Sequence, residues 1–160
     1  MSYVLITDLD GTLLGKHNFD FELIKSEISN LLNTGYLLVL ASSKTKAEIE
    51  SFCDDLGHSV PFIYENGAGV ENFSLFSGCE ARPNTHQNPK AIRTDELLTI
   101  WERDISLDLK SRCHFVKDMN GGAQQVCLGL RATALERAMK RSFSLPFTFS
   151  GTDSDVLKLK

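Results

Sequence analysis

The stretch Tyr3-Val4-Leu5-Ile6-Thr7-Asp8-Leu9-Asp10-Gly11-Thr12 constrains the fold of this chain more than any other. An apolar, β-prone run leads into two carboxylates one residue apart, then Gly-Thr. A strand that is apolar on both faces belongs inside a parallel sheet, where both faces are covered. In open α/β sheets, ligands bind just beyond the carboxyl ends of the strands. Asp8 and Asp10 fall at such an end, and the break at Gly11 lets their side chains converge on one site.

The elements that follow support this architecture. Phe21, Ile24, Ile28, Leu31 and Leu32 recur at helical spacing, with Asp20 as a cap and Gly35 as a stop. Residues 36–41 read as a second buried strand. Thr45-Lys46-Ala47-Glu48 is a capping box, opening a helix that runs to about Leu56 and ends at Gly57. Residues 61–64 make a third strand. This β-α-β-α-β order predicts an α/β, doubly wound (Rossmann-like) parallel sheet with right-handed crossovers.

Composition then shifts, and the expected domains are residues 1–79 for the core part and 80–160 for a small α+β domain. Residues 79–88 are polar and turn-rich and read as a linker. A helix is expected from Thr94, with Leu97, Leu98, Trp101 and Ile105 on one face. Strands are expected at 113–116 and 124–130 around a hairpin turn at Asn120-Gly121-Gly122. A capping box at Thr133–Glu136 predicts another helix, with a packing stripe of Leu135, Ala138 and Met139. Strands are expected at 147–149 and 156–159, flanking a turn at Gly151-Thr152-Asp153.

With 160 residues and a hydrophobic fraction of 42%, the chain can build a real core. A net charge of −4 argues against nucleic acid as the main partner. No long uncharged apolar run predicts a membrane helix, and no basic n-region or cleavage site precedes the first strand. Cys53, Cys79, Cys113 and Cys127 show no C-x-x-C spacing and read as mostly buried thiols of a cytoplasmic protein. His17, His58, His86 and His114 lack metal-ligand spacing and read as surface residues.

Clustered carboxylates are hard oxygen ligands suited to Mg²⁺. A carboxylate can also attack phosphorus, while a second one moves the proton. Gly11 lets backbone approach a phosphate, and Thr12 brings a hydroxyl. The plainer reading of the same residues is an Asx-type turn. Ala41-Ser42-Ser43-Lys44-Thr45 follows the second strand at the same sheet edge and opens a helix. Hydroxyls, free N–H groups at a helix N-terminus and a lysine suit a phosphate, with Thr45 also capping. Glu65-Asn66-Gly67-Ala68-Gly69 follows the third strand at that edge, where a turn would explain the glycines.

The first motif resembles that of the haloacid dehalogenase superfamily, most of whose members are Mg²⁺-dependent phosphatases. The resemblance implies Asp8 as nucleophile and Asp10 as general acid/base, with Mg²⁺ on the Asp8 side chain and the Asp10 backbone carbonyl. It implies Ser42 as the phosphoryl-binding hydroxyl of the second motif. It sets Asn66 beside the site or a core–cap hinge, and makes the second half of the chain a cap.

More narrowly, Ser42-Ser43-Lys44-Thr45, Glu65-Asn66-Gly67-Ala68 and the stretch around Arg141 and Pro146 resemble the mannosyl-3-phosphoglycerate phosphatases. Leu128 and Leu145 depart from that family, which tends to carry Thr and Glu there. The resemblance implies a small phosphorylated sugar or glycerate as substrate, with Arg141 among its ligands. A solvated helix end is the plainer reading of Lys140 and Arg141. A phosphosugar mutase of the same superfamily is the neighbouring alternative.

The superfamily's later lysine and acidic Gly-Asp segment have no match, and Asp153 and Asp155 read as a turn. The expectation is a partial core plus cap, cut short at the C-terminus, with an open sheet edge able to pair with another chain. A catalytically incompetent fragment that binds phosphate or a partner is then the competing reading.

Overall fold

The computed structural model describes residues 3–15, 20–77 and 83–159. Two compact units divide it, Met1–Ala91 and Ile92–Lys160.

In the first unit, β1 (Val4–Thr7), α1 (Glu22–Asn33), β2 (Leu37–Ala41), α2 (Lys46–Leu56) and β3 (Phe62–Tyr64) form the expected β-α-β-α-β series. Both strand pairs are parallel, with Ile6 beside Val39 and Leu40 beside Phe62. The sheet order is β1-β2-β3-β4-β5, so β2 lies between its sequence neighbours and β1 lies at an edge.

β2 buries Leu38, Val39 and Leu40. α2 covers the sheet with Ile49, Phe52, Cys53 and Leu56. Its capping box forms as read: the Thr45 side chain accepts from Glu48 N–H, and the Glu48 carboxylate accepts from Thr45 N–H at 2.9 Å. Gly57 ends it in the left-handed conformation at φ 77°. α1 starts less firmly. Phe21 stands at its N-cap with no side-chain cap bond, and Asp20 supports it only by accepting from Glu22 N–H at 3.0 Å.

After β3 the sheet departs from the all-parallel expectation. β4 (Gly69–Glu71) turns back antiparallel to β3, helix α3 (Phe73–Ser77) follows, and β5 (His86–Gln87) pairs antiparallel with β4. Part of the stretch expected as linker is therefore an edge strand. Gly69 lies hard against the Tyr64 ring, where a Cβ would collide with the phenol. Glu71 is buried, yet it meets Lys46 Nζ at 2.8 Å and accepts from the Thr85 hydroxyl at 2.6 Å.

In the second unit, α4 (Thr94–Asp104) and α5 (Leu107–Lys110) precede β6 (Cys113–Phe115). β6 pairs antiparallel with β7 (Phe147–Phe149), as the two strand expectations required. Trp101, Phe115 and Phe147 cluster with ring centroids 5.1–6.2 Å apart.

Between these strands the expectations fail. The hairpin and strand read over 120–130 are instead helix α6 (Gly121–Leu128). Asn120 is its N-cap, accepting from Ala123 N–H at 2.9 Å, and Gly129 ends it at φ 67°. The glycines fill the first turn, where the N–H groups lack helical partners anyway. α7 (Ala132–Ala138) starts one turn earlier than its expected cap, so Thr133 lies inside the helix and its capping box does not form.

The strand expected at 156–159 is helix α8 (Asp153–Lys158). Thr152 and Asp155 form a capping box there, and acids in a first turn suit the helix dipole. Asp155 also meets Arg112 at 2.7 Å and Lys158 at 3.0 Å. Hydrogen bonding from the Thr152 backbone, then from Lys158 and the Thr152 hydroxyl, holds its carboxyl well below the usual carboxylate range.

Among the described cysteines Cys53 alone is buried, whereas Cys113 is half-buried and Cys127 exposed, so the expectation of mostly buried thiols does not hold for them. Cys79 and His17 lie outside the described residues. His86 and His114 are exposed, and His58 is intermediate. Among the described residues, no helix is long and apolar enough to cross a membrane.

Candidate active site

β1 delivers its chain to a turn pinned by Leu9, which is fully buried. The Leu9 carbonyl accepts from Leu14 N–H at 2.8 Å and from Thr12 N–H at 3.2 Å. Gly11 takes φ 72°, a region that costs glycine least, and donates to the Leu14 carbonyl at 2.9 Å. This closed turn fixes Asp8 and Asp10 on either side of a buried anchor. Both acids are exposed.

β2 continues into the second segment. Ser42 N–H donates to the Ile63 carbonyl at 3.0 Å, so the ladder to β3 runs one residue beyond the strand. Ser42 is buried, and its hydroxyl accepts from Lys44 N–H at 3.3 Å. The third segment is tied to the second by backbone: Glu65 N–H donates to Lys44 O at 2.9 Å, and Asn66 N–H to Ser42 O at 3.2 Å.

Glu65, Asn66 and Gly67 take φ 43°, 59° and 95°. Two consecutive non-glycine residues in the left-handed region are uncommon, and such conformations persist where surroundings over-determine them. Buried Glu65 and the two backbone bonds supply that constraint here.

The three segments enclose one open cavity of about 430 Å³, lined by Asp8, Ala41, Ser42, Ser43, Ile63, Asn66 and Gly67. The structure thus gathers Asp8, Ser42, Ser43 and Asn66 as the parallel order required. Asp8 Oδ1 accepts from Leu9 N–H at 2.7 Å, which fixes the carboxylate in the wall.

Asp10, Gly11, Thr12 and Lys44 are not in that lining. Lys44 Nζ instead meets Asp10 Oδ1 at 3.0 Å and Glu48 Oε1 at 3.4 Å. Glu48 therefore serves both the helix cap and the lysine, a role its (i, i+4) spacing from Lys44 could have signalled. Arg141 belongs to the second unit and follows α7 rather than ending it. Its Nη1 donates to the Ser144 hydroxyl at 3.0 Å, and it lines a cavity with Thr94, Leu98, Lys117 and Leu145.

The donor set beside this cavity fits Mg²⁺. That ion takes one or two carboxylates together with waters and substrate phosphate, and Asp8 and Asp10 supply two. Among the described residues no group of three or more His, Cys, Asp or Glu gathers to hold a metal. A cation on Asp10 would share it with the Lys44 ammonium.

The family model described as haloacid dehalogenase-like hydrolase matches residues 5–86. The chain belongs to that family. A glucosyl-3-phosphoglycerate/mannosyl-3-phosphoglycerate phosphatase of Persephonella marina is 43% identical over 67 residues, covering 42% of this chain and 25% of that relative. A protein of the same description from Methanococcoides burtonii is 34% identical over 79 residues, covering 47% of this chain and 29% of the relative. The matched stretch thus spans only a quarter to three-tenths of these relatives.

A solved haloacid dehalogenase-like hydrolase from Bacteroides thetaiotaomicron superposes over 99% of this chain and 62% of its own, at a TM-score of 0.62 and 13% identity. A Thermotoga maritima structure superposes over 100% and 60%, at 0.54 and 17%. These likenesses bear out the α/β fold.

Proposed function

We propose that this chain is a phosphomonoester hydrolase of the mannosyl-3-phosphoglycerate phosphatase kind, acting through an aspartyl-phosphate. The observation that carries the reading is the shared cavity of Asp8, Ser42, Ser43 and Asn66. A carboxylate nucleophile and two hydroxyls face a space large enough for a phosphoryl group. The names of the two phosphoglycerate phosphatase relatives support the substrate class.

In this reading the substrate phosphorus is attacked by Asp8. Oδ1 is held by Leu9 N–H, so Oδ2 is the attacking oxygen. The P–O bond to the sugar breaks as the P–O bond to Asp8 forms, and Asp10 gives the leaving oxygen its proton. Asp10 then takes a proton from water as that water splits the aspartyl-phosphate, returning both acids to their starting forms. Ser42, Ser43 and the Asn66 amide hold phosphoryl oxygens, with Gly11 and Thr12 bordering the turn. Lys44 orients Asp10 before substrate arrives and offers its charge to the phosphate once there. Arg141 keeps its expected role as a ligand of the substrate's anionic end. Mg²⁺, held by Asp8 and Asp10, would supply charge neutralisation between nucleophile and phosphate. A phosphorylated substrate cannot cross a membrane unaided, which argues for a cytoplasmic enzyme.

The test is phosphate release from mannosyl-3-phosphoglycerate and glucosyl-3-phosphoglycerate with Mg²⁺, comparing the wild type with Asp8→Asn. Release by the wild type alone is expected; equal release by both would overturn the nucleophile assignment. A phosphate-binding chain without turnover is the second reading, favoured by the absence of a third acid among the described residues. It predicts inorganic phosphate binding that Ser42→Ala weakens, with no release from either ester.

A further inference from the structure

The edge strand β1 has the composition of an interior strand. Tyr3 to Thr7 carry no charge and no proline, and apolar side chains occupy both faces. Only β2 pairs with it among the described strands. Val4 is 45% exposed, Leu5 38% and Ile6 68%, while Leu38, Val39 and Leu40 of β2 are 7% or less. Beside this edge lies an apolar groove of about 270 Å³, walled by Leu5, Ile6, Leu13, Ile28, Leu31 and Tyr36. Tyr3 and Tyr36 stack at its end with ring centroids 5.9 Å apart, and both are exposed. Edge strands are ordinarily protected by lysine, proline, a bulge or an inward charge, and β1 has none of these.

We propose that β1 is an interface with a second copy of this chain, the two strands adding antiparallel across a twofold axis. Charge decides the orientation. Asp8 and Asp10 stand just past the C-terminal end of β1. A parallel addition in register would set each Asp8 beside its counterpart, and like charges directly opposite destabilise a strand pair.

An antiparallel addition about an axis normal to the sheet keeps each face continuous and pairs residues of equal parity. Centring it on Leu5 puts Leu5 against Leu5, Val4 against Ile6 and Tyr3 against Thr7. The two Asp8 groups then lie about 20 Å apart along the strands, from a rise of about 3.4 Å per residue. That exceeds the Debye length of about 8 Å at physiological ionic strength, so their repulsion is largely screened. The axis also brings both α1 helices to one face, where Leu31 and Tyr36 close over the joint. Such a twofold contact is isologous and ends at two copies. Each copy's cavity at Asp8 remains at the outer end of the shared sheet, so the interface does not depend on the chemistry proposed there.

Sedimentation equilibrium across a concentration series tests the interface. The wild type should approach twice its 17.8 kDa mass, and Ile6→Lys should remain at 17.8 kDa. Ile6 is 68% exposed, so the circular dichroism of the variant should match the wild type. Val126→Lys, on an 86% exposed residue of the second unit, should still pair. Leu5→Cys lies on the proposed axis and should give a covalent dimer on mild oxidation at a yield the wild type does not reach. Directly opposed strand residues have the spacing a disulfide needs. This crosslink tests the geometry even if Ile6→Lys fails to fold. A wild type monomeric throughout, a heavier species indifferent to Ile6→Lys, or no added crosslinking in Leu5→Cys would each overturn the proposal.

Discussion

The β1–α1 and β2–α2 pairs of the first unit have nearly the same apolar vocabulary and opposite fates. β2 runs Leu-Leu-Val-Leu-Ala and is buried from Leu38 to Leu40, whereas β1 runs Val-Leu-Ile-Thr with every apolar side chain exposed. α2 buries four residues under a full capping box; α1 buries Ile28 alone and has no side-chain cap. An apolar strand is a statement about what it needs, and burial depends on which neighbours the sheet supplies. The largest effect that tests this contrast is a pair of truncations. Leu40→Ala removes a fully buried side chain between β1 and β3 and should cost about 3 kcal/mol or more. Leu5→Ala should cost well under half as much in the monomer, because 38% of Leu5 is already in water. Urea midpoints at equal slope measure both, and comparable losses would mean that β1 is covered in solution.

The same contrast explains which parts of the fold the sequence announces. Thr45, Glu48 and Gly57 mark α2 correctly because a capping box and a left-handed stop are written in adjacent residues. The parallel order of the first three strands follows from helices too short to do anything but cross over. Asn120-Gly121-Gly122 misleads, since the same residues that suit a tight turn also suit a helix start. The run that follows is too short for its period to decide between them. Thr152 and Asp155 form a box that uses Asp instead of Glu at its third position, which hides α8. At the site, Asp8, Ser42, Ser43 and Asn66 share a cavity because three strand ends of one parallel edge must meet. The Lys44–Asp10 pair was not legible, because a lysine beside hydroxyls reads equally as a phosphate ligand.

Capping sharpens the comparison at a smaller scale. Thr45→Ala removes the acceptor of Glu48 N–H in a fully buried cap and should cost about 1–2 kcal/mol. Asp20→Ala removes one exposed bond to Glu22 N–H and should cost a few tenths of that range. Thermal melts of the two variants separate these values. Equal shifts would mean that α1 is as firmly anchored as α2.

The smallest expected effect lies in the helix lysines and depends on pH. Hydrogen bonding to the buried Glu71 raises the Lys46 ammonium above its ordinary value of 10.5. A group whose folded pKa is raised lends stability that is complete below the unfolded pKa and fades as pH rises through the folded one. Lys46 is 44% exposed, so screening keeps this contribution below about 1 kcal/mol. Lys25 meets only Glu22, at 3.6 Å and with both side chains open to water, and should contribute next to nothing. Lys46→Met should therefore be less stable than the wild type near neutrality, and the gap should narrow as pH climbs past about 10.5. Lys25→Met should track the wild type at every pH. A gap for Lys46→Met that persists unchanged above that pH would mean that its aliphatic stem, packed beside Glu71, matters more than its charge.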